Sequence, residues 1–158
     1  MNRKLRGKMS KDWVTKAEAL ANGKLFSTNG YYKEVAESGR RFLSIGKCAS
    51  IGMPVKKNEE PSVFVHNDED VQTNFCTPLY DRTEFFQRHK KLDIKEIETE
   101  DNLHLVRRSN LRKWGFKRYK GLPVVGFIED EYMLESVYDI SGTEEYESNK
   151  LKMLMEQQ

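Results

Sequence analysis

The chain has 158 residues, 37% of them hydrophobic and 33% charged, which predicts one domain with a small core and with polar arms or partner-covered surfaces. No apolar run approaches the roughly 18 residues of a membrane span, and the N-terminus lacks a signal-peptide core, so we expect neither membrane insertion nor secretion. Residues 1–120 hold 25 bases and 16 acids, whereas residues 121–158 hold two bases and nine acids, so the net charge of +2 conceals a basic body and an acidic end.

The two cysteines, Cys48 and Cys76, are too few for a disulfide framework and form no C-x-x-C pair. They favour the cytoplasm or another reducing intracellular compartment over secretion. Residues 1–11 carry five bases and no acid, and we interpret them as a flexible basic arm that alternatively lies against nucleic acid. We expect residues 12–140 to form a single α+β domain and residues 141–158 to form a C-terminal helix.

The first predicted elements are two short helices. Thr15 and Glu18 have capping-box spacing, so a helix begins there and ends at Asn22-Gly23. A second helix is predicted over Tyr31–Ser38, with Gly39 as its cap. Phe42–Ile45 and Cys48–Ile51 then read as a hairpin.

This order of elements resembles the small winged helix-turn-helix domains of excisionase type. The resemblance covers residues 15–47 and is carried by Glu18-Ala19, the aromatic pair Tyr31-Tyr32 and the later glycines. The second helix presents Glu34 and Glu37 where that family has a basic face, so no binding residue is carried over.

The middle of the chain alternates between strand and helix signals. Ser62–His66 predicts a short strand, and Asp81 predicts the N-cap of an amphipathic helix. Asp93–Asp101 begins with an alternation typical of a strand. Leu103–Lys113 predicts a further helix, which Gly115 would end.

The C-terminal third gives the clearest pattern. The apolar run Gly121–Ile128, the acidic turn at 129–131 and the alternating segment Tyr132–Ile140 predict an antiparallel hairpin at about 121–140. Ser141 and Glu144 have capping-box spacing and predict a C-terminal helix with an apolar stripe, which docks on the domain or binds a protein partner. The fold class is therefore α+β, with antiparallel hairpins, several short helices and a C-terminal helix.

The segment 107–120 is the candidate binding site, because it holds seven bases, three aromatics and no acid. Guanidinium and ammonium groups bind phosphates, and exposed aromatic rings stack on unpaired bases. Two alternatives remain: the bases pair internally with the acids of 129–147 while the aromatics enter the core, or the segment meets an acidic protein surface. The candidate residues are Arg107, Arg108, Arg112, Lys113, Trp114, Lys117, Arg118 and Tyr119.

No pattern indicates catalysis, a metal site or a cofactor. The histidines form no H-E-x-x-H unit, and the acidic turn after His66 lacks the glycine and glutamate of an EF-hand. Asp81 with Asp93 and Lys95 has the residue order of metal-dependent nucleases, but the helix predicted between them disfavours that geometry. We therefore expect a non-enzymatic protein that binds RNA or DNA or belongs to a nucleoprotein assembly; the alternatives are an adaptor subunit of a protein complex and, third, a metal-dependent nuclease.

Overall fold

The computed structural model describes residues 14–22, 24–66, 75–117 and 121–156, and it confirms the predicted α+β class. Contacts divide these residues into two compact units. The first unit contains the residues up to Ala49 together with Met53–Gln87, and the second contains Ser50–Gly52 and the residues from Arg88 onward. The predicted partition into an arm, one domain over 12–140 and a terminal helix stays a prediction.

The first unit is built on a five-stranded mixed sheet. Strand β2 pairs in parallel with β4, β4 pairs antiparallel with β5, and β1 and β3 pair antiparallel with opposite ends of β5. The strands are β1 (Val14–Thr15), β2 (Lys24–Ser27), β3 (Phe42–Leu43), β4 (Val63–His66) and β5 (Phe75–Asp81). The helices are α1 (Lys16–Asn22), α2 (Thr28–Ser38), α3 (Ile45–Ser50) and α4 (Thr83–Arg88).

Strand β5 was not predicted, because Pro78 stands in its middle. A proline cannot donate a hydrogen bond to a neighbouring strand and is normally confined to edges. Here β1 pairs with Phe75 and Cys76 while β3 pairs with Tyr80 and Asp81. Neither β1 nor β3 therefore lies opposite Pro78. The missing amide hydrogen of the proline interrupts no pairing with these two strands, and β5 accommodates it.

Two predicted helix boundaries in the first unit are confirmed. The Glu18 amide donates to Thr15 Oγ1 over 3.2 Å at the start of α1. Helix α2 ends at Ser38, and Gly39 follows with φ of 70°. The amide of Gly39 donates to the carbonyl of Val35 over 3.0 Å, which closes the last turn.

The predicted hairpin over 42–51 is wrong. Ile45–Ser50 is the helix α3, whose first turn is closed by Ser44: its hydroxyl accepts from the Lys47 amide at 3.5 Å and its carbonyl accepts from Cys48 at 2.9 Å. Strand β2 also lies between α1 and α2. The element order of a winged helix-turn-helix is therefore absent from the described part of residues 15–47.

The second unit holds a three-stranded antiparallel sheet with the order β6-β8-β7. Its strands are β6 (Leu105–Arg107), β7 (Val124–Glu129) and β8 (Leu134–Asp139). The helices are α5 (Ile94–Ile97), α6 (Glu144–Glu156) and two 3₁₀ helices, Glu100–Asn102 and Arg108–Trp114.

The predicted hairpin at 121–140 is confirmed as β7 and β8, paired antiparallel up to Glu129 and Leu134. The central strand β8 is covered on both sides, since Leu134–Tyr138 are all buried. Tyr138 belongs to a cluster with Leu111 and Trp114, while Val137 belongs to a second cluster with Ile97 and Ile128.

Gly126 in β7 is required by a close approach of the backbone. A Cβ at this position would lie 2.6 Å from the carbonyl oxygen of Lys90 and 2.8 Å from Leu92 Cγ. The same carbonyl accepts from the Phe127 amide over 3.1 Å. The glycine therefore lets residues 90–92 pack directly on the strand.

Two predictions in the second unit are wrong. The short strand predicted at the start of 93–101 is the helix α5, with the Asp93 carboxylate accepting from the Lys95 amide at 2.9 Å as an N-cap. The predicted helix at 103–113 divides into strand β6 and the 3₁₀ helix Arg108–Trp114. Its end at Gly115, which has φ of 91°, is as predicted.

The predicted C-terminal helix is confirmed, with Thr143 rather than Ser141 at its start. Thr143 Oγ1 accepts from the Tyr146 amide over 3.2 Å, as an N-cap does. The helix α6 then runs from Glu144 to Glu156, the last residue that the structure describes.

Candidate nucleic-acid interface

The basic segment 107–120 lies in the second unit and is mostly one 3₁₀ helix. Arg107 ends β6, the 3₁₀ helix spans Arg108–Trp114, and Gly115 ends it in the left-handed conformation, with its amide donating to the carbonyls of Arg112 and Leu111. Of the predicted binding residues, Arg118 and Tyr119 lie outside the described residues, as does Lys120.

The inner side of this segment is anchored in the core. Leu111 is fully buried, and Trp114 and Phe116 are 5% and 7% exposed. The indole of Trp114 stacks on Tyr146 of α6, with ring centroids 5.6 Å apart and planes inclined by 24°. Asn149 Nδ2 donates to the Trp114 carbonyl over 3.1 Å.

Trp114 is therefore placed as a core residue. A base-stacking platform needs one open face of the ring, and the burial of the indole argues against that use. Trp114 and Phe116 therefore follow the alternative in which the aromatic side chains of the segment enter the core.

Arg107 is engaged inside the unit. Its Nε donates to Glu135 Oε2 over 2.8 Å, and its Nη1 lies 3.4 Å from Glu98 Oε1. The other carboxylate oxygen of Glu135 accepts from the Ser109 amide over 2.7 Å. Because Glu135 is only 7% exposed, this pair holds the start of the 3₁₀ helix against β8.

Arg108 is half-buried and also makes an internal bond. Its Nη1 donates to the Tyr138 hydroxyl over 2.7 Å, and the same hydroxyl accepts from Ser136 Oγ over 2.9 Å. Arg107 and Arg108 therefore both form hydrogen bonds to side chains within their own unit.

Three predicted cations remain on the outer side. Arg112, Lys113 and Lys117 are all exposed, and within residues 14–22, 24–66, 75–117 and 121–156 no carboxylate forms an ion pair with any of them. The alternation of buried and exposed side chains follows from the tight 3₁₀ turn, which buries Leu111 and Trp114 and directs the two residues between them outward.

A cleft of about 210 Å³ adjoins Lys113, one of these three cations. Its floor includes Leu103, Val106 and Trp114, and its polar rim includes Glu98, Thr99, Arg107, Asn110 and Lys113. Acids and bases share this rim, so the cleft lacks the single sign of charge that concentrates an anion.

The family models, the curated proteins and the solved structures contain no match to this chain. The interpretation of the segment therefore comes from its own geometry. None of the helices in the described ranges has the length and apolar character needed to cross a membrane.

The predicted nuclease arrangement has no support among the described residues. No group of three or more potential metal ligands occurs there. Asp93 and Lys95 lie at the start of a helix rather than on a strand. The Asp81 carboxylate accepts from the Thr83 amide at 2.9 Å and pairs with Arg40, so both acids have local structural partners.

The thiol of Cys48 is unsuited to nucleophilic chemistry. Burial raises its pKa to about 11, despite the opposing charge of Arg82. The thiolate is the nucleophilic form, and at neutral pH this thiol stays protonated. Cys48 and Cys76 form no disulfide with each other and both are buried, so the described structure uses them as small core residues.

Proposed function

We propose that this protein is a non-enzymatic nucleic-acid-binding protein, or a component of a nucleoprotein assembly, and that it binds phosphates through Arg112, Lys113 and Lys117. The observation that supports the proposal is the exposure of these three cations on a segment whose other side is fixed in the core. Anchoring lowers the entropy lost when the cations meet a ligand, because the backbone that carries them is already ordered. The predicted contributions of Arg118 and Tyr119 belong to the same proposal.

The mode of binding that follows is contact with the backbone rather than reading of bases. Three cations that each neutralise one phosphate predict a slope of about −2.7 for log K against log salt on duplex DNA, and hence a loss of about 40-fold in affinity between 50 and 200 mM salt. Further contacts from Arg118, Lys120 or the basic arm at 1–11 would steepen the slope. Phosphate contacts carry no direct sequence information, so we expect weak sequence preference.

The test is a triple variant, Arg112→Gln with Lys113→Gln and Lys117→Gln, measured by fluorescence anisotropy with RNA and DNA. Its matched control replaces three exposed lysines elsewhere, Lys33, Lys57 and Lys90, by glutamine, which removes the same net charge. We expect the first variant to lose most of its affinity and the control to lose little. Equal losses in both, or no binding by the wild type to either nucleic acid, would contradict the proposal.

The second candidate function is an adaptor subunit of a protein complex. The exposed apolar side chains of Leu151 and Met155 on α6 favour it, because large apolar groups grouped on one helix face are typical of interaction surfaces. In an adaptor subunit, the partner of the three cations would be an acidic protein surface instead of a nucleic acid. For either function we propose a reducing intracellular compartment, because the two cysteines are too few for a disulfide framework and form no C-x-x-C pair.

A further inference from the structure

Helix α6 has one face docked on its own unit. Tyr146 stacks on Trp114, Asn149 bonds to the Trp114 carbonyl, and Leu154 packs against the same buried cluster. The helix is therefore held in place, and its outer face is ordered before any partner arrives.

The outer face carries the apolar side chains. Leu151 is 71% exposed and Met155 is 69% exposed. They are four residues apart, so they lie side by side on one face. The exposed residues Ser148 and Glu144 extend the same face towards the start of the helix. Ser148 lies seven residues before Met155, and Glu144 lies four residues before Ser148.

The charges of α6 are arranged along its length. Glu144, Glu145 and Glu147 occupy the first turn, Lys150 and Lys152 follow from the middle of the helix onward, and Glu156 is its last residue. Two such helices side by side in parallel would bring acids against acids and lysines against lysines. In the antiparallel arrangement the acidic start of each helix lies against the lysine-bearing half of the other, and the helix dipoles oppose as well.

We propose that the partner of this face is a second copy of the chain, bound through an antiparallel pairing of the two α6 helices. With Ser148 of one copy opposite Leu151 of the other, Glu144 lies opposite Met155 and about one helical turn from the partner's Lys152. The contact is isologous, so each contact between two different residues, including Glu144 with the partner's Lys152, occurs twice. This pairing does not depend on nucleic-acid binding, because it uses a different helix.

The size of the contact sets the strength of the dimer. A helix of 13 residues is about 20 Å long. Two such helices bury less than the roughly 1,200–2,000 Å² of a standard stable interface. We therefore expect a dimer that forms at high protein concentration and dissociates on dilution.

The first test is analytical ultracentrifugation of the full chain over a wide range of concentrations, with the variant Leu151→Asp. Its matched control is Leu20→Asp, which changes another leucine, 62% exposed, on helix α1. We expect Leu151→Asp to weaken dimerisation by about tenfold or more and Leu20→Asp to leave it unchanged. Circular dichroism of each variant checks that the fold is retained. A wild type that stays monomeric at every concentration, or a dimer indifferent to Leu151→Asp, would overturn the proposal.

The second test addresses orientation through charge reversal. Glu144→Lys and Lys152→Glu should each weaken the homodimer, by about two- to fivefold per ion pair lost. The double variant should recover the wild-type affinity. A mixture of the two single variants should form heterodimers in preference to either homodimer, because only the mixed pair brings opposite charges together. If the two single changes weaken association and the double change does not restore it, the antiparallel pairing is wrong.

Discussion

At the scale of single residues, Arg82 is a buried cation with a complete set of partners. It is 7% exposed, its Nη1 and Nη2 donate to the two carboxylate oxygens of Glu59 at 2.6 and 2.9 Å, and its Nε donates to the Met53 carbonyl at 3.0 Å. The bidentate geometry is the strongest that this pair of side chains can adopt. We infer that Arg82 fixes the loop 53–59 within the first unit.

Replacing Arg82 by methionine should destabilise the protein. The change leaves the Glu59 carboxylate without its main partner in a partly buried position, and breaking a buried pair costs roughly 3 kcal/mol. The measurement is chemical denaturation followed by circular dichroism. Arg112→Met, which alters an exposed arginine, is the control and should shift the free energy of unfolding by less than about 0.5 kcal/mol. A shift for Arg82→Met no larger than that of the control would contradict the role of Arg82.

The same pair predicts how stability depends on acid. The hydrogen bonds from Arg82 lower the pKa of Glu59 below its ordinary value of 4.5, against the smaller opposing effect of burial. A carboxyl whose pKa is lower in the folded state stabilises the fold above the unfolded pKa, and this stabilisation is lost as pH falls through the folded pKa. We therefore expect the difference in unfolding free energy between the wild type and Glu59→Gln to be constant near neutrality and to shrink below about pH 4.

At the scale of elements, the 3₁₀ helix Arg108–Trp114 separates two kinds of arginine. Arg107 at its start is paired with Glu135, whereas Arg112 on its outer side is exposed. From the sequence, both were candidate binding residues, with internal pairing as the alternative. The structure pairs Arg107 with Glu135 and leaves Arg112 exposed.

We expect Arg107→Ala and Arg112→Ala to differ in what they change. Arg107→Ala leaves Glu135 buried without its cation and should lower stability by roughly 2 kcal/mol. Arg112→Ala should leave stability within about 0.5 kcal/mol and reduce the salt slope of nucleic-acid binding by about one. Thermal denaturation and anisotropy titrations on both variants check this. If Arg112→Ala also lowered stability by roughly 2 kcal/mol, the side chain of Arg112 would contribute to the fold, which would contradict its exposed position on the outer side of the 3₁₀ helix.

Prediction from sequence succeeded where local signals agree and failed where they compete. The hairpin β7–β8 was predictable because an apolar run, an acidic turn and an alternating segment all indicate it. The short strand predicted at the start of 93–101 was wrong because Ile94 and Ile97 also fit helical spacing, and the N-cap Asp93 favours the helix. Strand β5 was missed because Pro78 argues against a strand until the neighbouring strands are known.

The candidate site was predictable only in part, for a different reason. The basic character of segment 107–120 follows from its composition alone. That Arg107 is paired internally depends on Glu135, a residue 28 positions away in the chain. The pairing of Arg82 with Glu59 spans 23 positions and likewise leaves no local signal.

At the scale of the whole molecule, the bases of 107–120 were expected to bind a nucleic acid, to pair with the acids of 129–147, or to meet an acidic protein surface. Within the described residues, Glu135 is the acid of the C-terminal third that pairs with the basic segment. Arg112, Lys113 and Lys117 are exposed, and α6 carries three acids in its first turn and two lysines further along. The distribution of charge thus supports two separate contacts, one with an anion and one with a second copy.

The role proposed for the exposed cations Arg112, Lys113 and Lys117 is to bind the phosphates of a nucleic acid. The most direct measurement is the salt dependence of binding to a short duplex DNA, for the wild type and for the triple glutamine variant. We expect the wild-type slope of log K against log salt to be about −2.7 or steeper, and the variant's slope to be shallower by about 2.7. A wild type that does not bind, or a variant with the wild-type slope, would contradict the claim.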